Sequence, residues 1–237
     1  QHMRHTLLPD HKFIKGQPDT GVELADDLEL IANKYKGEIA ACIVEPIAGS
    51  TGILVPPKGY LNRLREICDK HGILLIFDEV ITGWGRTGSP FAAQEFNVTP
   101  DIMTLAKATT NGVIPMGVVA TRDGIYDTVV NSTPEGVIEL FHGYTYSGIP
   151  AAVAAALAVQ DIFEKENIFN RVKEIIPYFQ EALHSLKDLE CVENIRGYGL
   201  LGGVDIRKKD KPGKAGFQVY KACYENGVNF KATGDAL

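Results

Sequence analysis

Apolar residues gather into three short runs, each stopping at an ionisable side chain. Ala40-Ala41-Cys42-Ile43-Val44 runs into Glu45, Leu74-Leu75-Ile76-Phe77 into Asp78-Glu79-Val80, and Met103-Thr104-Leu105-Ala106 into Lys107. Unbroken apolar runs of this length, bounded by turn residues, predict strands buried on both faces of a parallel sheet. Ligands of open α/β sheets bind outside the carboxyl ends of such strands. Glu45, Asp78 and Lys107 are therefore expected to emerge along one edge.

Between and around these runs the apolar period changes to that of a helix. Leu24, Leu28, Leu30, Ile31 and Tyr35 predict an amphipathic helix over about 21–36, after a polar loop or linker at 1–20. Leu61, Leu64, Ile67 and Cys68 predict a second over 59–71, with Gly72 as its C′ residue. Strand, helix and strand at this spacing form a βαβ unit with parallel pairing. Further strands are expected at 101–106 and 117–121, and helices at 123–130, 150–165 and 168–187, the last with Pro177 as a kink or break. Beyond Cys191 the pattern becomes short strands around glycines (191–196, 202–206), a helix near 214–226, and a strand starting at Val228–Ala232. The expected organisation is an α/β domain over 1–165 and a smaller α+β part over 166–237. The chain opens in a loop and stops just after a predicted strand, which reads as a piece of a larger fold.

Composition narrows the function class. With 45% apolar and 23% charged residues the chain is an ordinary globular protein. A formal charge of −6 argues against nucleic-acid or polybasic membrane partners. Cys42, Cys68, Cys191 and Cys223 lie far apart with no C-x-x-C pair, so neither a zinc site nor a disulfide framework is expected. No His, Cys or carboxylate cluster has metal-ligand spacing. The longest apolar run, Ile149 to Val159, falls short of the roughly 20 residues that span a bilayer. The expectation is a soluble, cytoplasmic protein.

Each ionisable residue has a plain reading beside a chemical one. Asp78 could cap a helix or pair with an arginine. Lys107 could snorkel at the surface, or sit desolvated with a lowered pKa as a Schiff-base former or general base. Glu45 could be a loop carboxylate, and Thr145 and Ser147 turn hydroxyls. Nucleophile-elbow, P-loop and dinucleotide fingerprints are all lacking. One cofactor would employ the whole set: an aldehyde for Lys107, a ring nitrogen for Asp78 to keep protonated, and a phosphate for the hydroxyls near Thr145. That is pyridoxal phosphate.

The ordered motifs Ile76-Phe77-Asp78-Glu79-Val80-Ile81-Thr82-Gly83-Trp84-Gly85-Arg86-Thr87-Gly88, Ala106-Lys107 and Pro115-Met116-Gly117 resemble the class III pyridoxal-phosphate aminotransferases. Val44-Glu45-Pro46-Ile47-Ala48-Gly49-Ser50, Val55-Pro56-Pro57-Lys58-Gly59-Tyr60 and His142-Gly143-Tyr144-Thr145-Tyr146-Ser147 resemble their omega-amino acid:pyruvate branch. The resemblance implies the type I aminotransferase fold. It implies Lys107 as Schiff-base lysine and proton shuttle, Asp78 as partner of the pyridinium nitrogen, and Val80 against the ring. Thr145, with Tyr144 beside it, would reach the phosphate held mainly by the other subunit, which implies a homodimer or dimer of dimers. The implied reaction moves an amino group from an amine or omega-amino acid to pyruvate. A decarboxylase or aminomutase of the same fold, or a non-catalytic fragment, are the alternatives. Glu45, Trp84 and Lys231 are candidate substrate-pocket residues. Lys231 stands where family members carry a carboxylate-binding arginine, Trp84 where phenylalanine is usual, and Ile149 where histidine is common. The family's ring-stacking aromatic and glycine-serine phosphate-binding turn would precede residue 1.

Overall fold

A computed structural model describes residues 1–208 and 211–237. Four strands form one sheet in the order β1 (Ala41–Val44), β2 (Leu74–Asp78), β3 (Ile102–Leu105), β4 (Val118–Thr121). The first three are parallel, with Val44 opposite Phe77 and Asp78 opposite Thr104, whereas β4 runs antiparallel to β3. The mostly parallel α/β sheet is thus the architecture the strand pattern predicts. A separate antiparallel pair, β5 (Val192–Tyr198) and β6 (Leu201–Ile206), makes the second sheet.

The helices follow from local chemistry. α1 (Asp26–Lys34), preceded by a 3-10 turn Val22–Ala25, carries Asp26, Asp27 and Glu29 in its first turn, where the helix dipole favours negative charge. α2 (Tyr60–His71) crosses between β1 and β2 and stops at Gly72, whose φ of 65° suits the residue that ends a helix. Its final residue, His71, meets Glu29 at 2.8 Å and so ties α2 to α1. Buried on one side of the sheet are Leu24, Leu28, Tyr60, Leu61, Leu64, Ile67, Cys68, Leu75 and Phe77. Each large apolar side chain here contributes roughly 1.5–3 kcal/mol. Asp101 staples the start of β3 by accepting the Leu75 N–H (2.7 Å) and the Arg65 guanidinium (2.7 Å). Burial works to raise the Asp101 carboxyl, but the Leu75 N–H and the Arg65 and Arg122 cations hold it below the usual range.

After the short α3 (Ala92–Glu95), the chain passes through β3 and β4 to α4 (Asp123–Asn131), α5 (Pro150–Lys165) and α6 (Ile168–His184). Pro177 lies inside α6 without ending it. α5 buries Ala152, Ala156 and Val159, and α7 (Lys214–Glu225) follows the second sheet.

Three expectations are corrected. The sheet is not buried on both faces: β1 alternates, with Cys42 inside and Ile43 63% exposed. Val228–Ala232 forms no strand; residues 228–232 are irregular, and only isolated bridges near Thr233 and Ala236 follow. The opening segment is irregular but not a free linker, because Gly16 N–H donates to Gly197 O (2.9 Å) and His11 is buried. The first of these departures has a plain cause. Apolar runs report that a residue can be buried, whereas partners elsewhere in space decide whether it is.

Candidate active site at the carboxyl edge of the parallel sheet

Register alone assembles the three ionisable residues. Val44 pairs with Phe77, so Glu45 and Asp78 leave neighbouring strands at the same level. Asp78 pairs with Thr104, and the Glu79 N–H donates to Thr104 O (2.9 Å), so the chain turns toward Lys107 just beyond Asp78. Parallel strands lie about 4.8 Å apart, which brings all three residues to one edge of the sheet.

Asp78 is half-buried. One oxygen, Oδ1, accepts the Val80 N–H at 3.0 Å. Among the described residues neither an ion pair nor a donor to Oδ2 occurs. The neighbouring Glu79 points to the opposite face, as strand alternation requires, and is fully buried. It accepts the Ala92 (2.6 Å) and Ala93 (2.8 Å) N–H groups and the Thr82 hydroxyl (3.1 Å). Burial pushes its carboxyl up despite those donors. Glu79 therefore anchors the start of α3 while Asp78 remains available, a division of labour legible only once the two faces are known.

Lys107 does not sit where the run of apolar residues suggests. It follows β3, opens a 3-10 turn (Lys107–Thr109), has φ of 47° and is exposed. A desolvated lysine is thus not what this chain holds, because the turn swings the residue out of the sheet. A non-glycine residue in the left-handed region is strained, and such strain clusters at functional sites. Thr109 supports the turn: its hydroxyl donates to Ala106 O (3.0 Å) and accepts the Trp84 indole N–H (3.1 Å). Trp84 itself has φ of 61° and packs edge-on to Phe91 (5.5 Å) and against Phe163 (5.9 Å). The glycine-rich turn after Asp78 and the turn at Lys107 are hence joined through Trp84 and Thr109. Thr109 and Glu79 escaped the sequence reading; the adjacency of Glu79 to Asp78 at a strand end was the available signal.

Glu45 is half-buried and accepts the Gly49 N–H through Oε2 (2.9 Å). Its loop packs on the segment after Asp78 so tightly that a Cβ at Gly49 would lie 2.5 Å from Ile81. A groove of about 670 Å³ runs along β1 and meets the edge at Glu45. Val80 is half-buried beside Asp78. Lys231 is exposed in the irregular tail, two residues before Thr233, whose hydroxyl donates to Ser50 O (3.0 Å). Tyr144 and Thr145 are not gathered in. They lie in an exposed loop whose hydrogen bonds among the described residues are local, such as Thr145 N–H to Gly143 O (2.8 Å).

Residues 1–237 match the family described as aminotransferase class-III. The chain is 48% identical to an omega-aminotransferase of Caulobacter vibrioides over all of its length and 54% of that protein's. The same shares hold for an omega-amino acid–pyruvate aminotransferase of Pseudomonas putida, also 48% identical. Among solved structures, it resembles an (S)-enantioselective omega-transaminase from Thermomicrobium roseum with TM-score 0.83 and 36% identity, over 91% of this chain and 49% of that one. A transaminase solved with L-Ala gives TM-score 0.86 at 33% identity, over 91% and 52%. The chain spans about half the length of the curated relatives it matches.

Proposed function

The chain belongs to the class III aminotransferase family, whose members depend on pyridoxal phosphate, and from that premise we propose that it carries the catalytic lysine and aspartate of an omega-amino acid:pyruvate transaminase. One observation carries the reading: Asp78 and Lys107 leave adjacent parallel strands at one edge. Among the described residues, an amine without an ion pair and a carboxylate with one uncommitted oxygen support the fit to the cofactor. Pyridoxal phosphate, when bound, supplies an aldehyde for amines and a ring that accepts the electron pair released at a substrate carbon.

In this reading Lys107 Nζ would hold the aldehyde, and as the free amine it would move the proton to and from the substrate carbon bearing nitrogen. Asp78, its Oδ1 oriented by the Val80 N–H, would keep the ring nitrogen protonated, and Val80 would help to hold the ring. Glu45 and Trp84 border the substrate. Lys231 attracts the substrate carboxylate as a point charge, without the planar fork of an arginine. Thr145 and Tyr144 serve the phosphate of a second subunit, so the protein works as a homodimer or dimer of dimers. The exposed Val137, Ile138, Leu140, Phe141 and Tyr146 around them support such an interface. Residues 1–165 then belong to the large cofactor-binding domain and 166–237 to the small one. No helix among the described residues is long and apolar enough to cross a membrane, and free Cys42, Cys68, Cys191 and Cys223 support a reducing, cytoplasmic setting.

The test is to add pyridoxal phosphate to the protein, reduce with borohydride and map the modified peptide. Label on Lys107, with alanine formed from pyruvate and an omega-amino acid, is the expected result. Label elsewhere, or carbon dioxide release in place of alanine, would overturn the reading.

A further inference from the structure

The loop that carries Glu45 has a holder outside the site. Arg196, on β5 and only 5% exposed, donates from Nε (3.1 Å) and Nη2 (2.8 Å) to the single carbonyl of Gly52. The rest of its guanidinium is bound by Asp205 on β6, through Nη1 to Oδ2 and Nη2 to Oδ1. The carbonyl it grips belongs to a strained turn. Gly52 has φ of 110° and Ile53 has φ of 56°, a region that a β-branched residue enters only under constraint. Further contacts confine the same turn. Gly203 approaches it so closely that a Cβ there would lie 2.6 Å from Gly52 O. Leu54 N–H donates to Ala48 O (2.9 Å), and Gly52 and Ile53 N–H both donate to Gly49 O (3.1 and 3.2 Å). Gly49 N–H in turn donates to the Glu45 carboxylate.

We propose that Arg196 is a positioning residue for substrate binding: through Gly52 it holds the strained Gly49–Leu54 turn and thereby fixes Glu45 at the sheet edge it shares with Asp78 and Lys107. Asp205 orients the guanidinium and neutralises it, and the second sheet acts as the anvil against which the loop is set. A buried, charge-assisted fork on one carbonyl is geometrically demanding. Lysine can keep the charge facing Asp205 but cannot reach both partners with a planar fork. The placement of the amine donor, rather than the chemistry at Lys107, is what this contact controls. The kinetic part of the inference rests on the transaminase reading; the structural part does not.

The experiment compares the unmutated protein with Arg196→Lys, Arg196→Met and Arg196→Met combined with Ile53→Gly. Amide hydrogen exchange is read at Gly49, Gly52, Ile53 and Leu54, with the β2 amides as internal control. In both single variants exchange across the turn should accelerate about tenfold or more while β2 stays protected. The KM for the amine donor should rise by a similar factor, with kcat and borohydride labelling of Lys107 retained. Glycine at position 53 removes the strain, so the double variant should regain part of the donor affinity. Unchanged turn exchange in Arg196→Lys and Arg196→Met overturns the assignment. So does a loosened turn with unchanged KM, or a uniform loss in KM, kcat and melting temperature with no rescue by glycine. If the unmutated protein neither labels at Lys107 nor transaminates, the transaminase reading falls, and the exchange data alone decide whether Arg196 holds the turn.

Discussion

Residues 22–110 and residues 111–150 are neighbours in sequence and opposites in packing. The first block closes its own core around Leu64, Ile67, Leu75 and Phe77, all fully buried. Its ends are held by the Arg65–Asp101 and Glu29–Lys70 pairs. In the second, no residue from Asn111 to Pro150 is buried, and Phe141 and Tyr146 are 93% and 83% exposed. Folded chains rarely leave so many neighbouring apolar side chains in water. The difference teaches that the two parts of the site have different physical standing. Asp78 ends a strand registered against that core, and Lys107 opens the turn just beyond the neighbouring strand. Thr145 and Tyr144 lie on a segment that packs against little of the described chain.

The sharpest test of that division is at Lys107. Lys107→Ala should lower transamination by about 10³-fold or more while leaving the melting temperature nearly unchanged, since the side chain is exposed. Kinetics beside differential scanning calorimetry would check it, and a collapse of stability would blur the two regions. Phe77→Ala should do the reverse, costing about 3–5 kcal/mol in a denaturant titration, because Phe77 is fully buried beneath the same strand end.

A paired change in the other region, Phe141→Ser with Tyr146→Ser, should shift the intrinsic stability of the protomer by only about 0.5 kcal/mol. It should, however, weaken self-association in sedimentation equilibrium. A large loss of protomer stability with unaltered association would break the comparison from that side. The smallest effect concerns the seam between α1 and α2. The Lys70 ammonium, and then His71, hold the Glu29 carboxyl down at about 2 from an ordinary 4.5. A depressed carboxyl stabilises the fold above its ordinary value and loses that contribution as pH falls through its folded one. The melting-temperature gap between the unmutated protein and Glu29→Gln should be constant above about pH 4.5 and shrink toward pH 2.

Much of the architecture was legible before any coordinates. The helix over Tyr60–His71 with Gly72 behind it, and α5 over Pro150–Lys165, follow from apolar period and end signals, which are local. Asp78 and Lys107 could be placed at one edge because parallel strands force their ends together. The strand expected from Val228–Ala232 does not form, because β-propensity does not supply a pairing partner. Of the two readings open for Lys107, the exposed one holds, because apolar neighbours in sequence need not be neighbours in space.

By itself, then, the sequence determined the order of elements, the parallel sheet and which ionisable residues follow its strands, consequences of short apolar runs and of the 3.6-residue helical period. Only the tertiary structure decided that Glu79 turns away to anchor α3, that Trp84 and Thr109 brace the Lys107 turn, and that Arg196 reaches Gly52 across 144 residues of chain. Those are contacts between residues remote in sequence. Their existence depends on distances that no local pattern encodes.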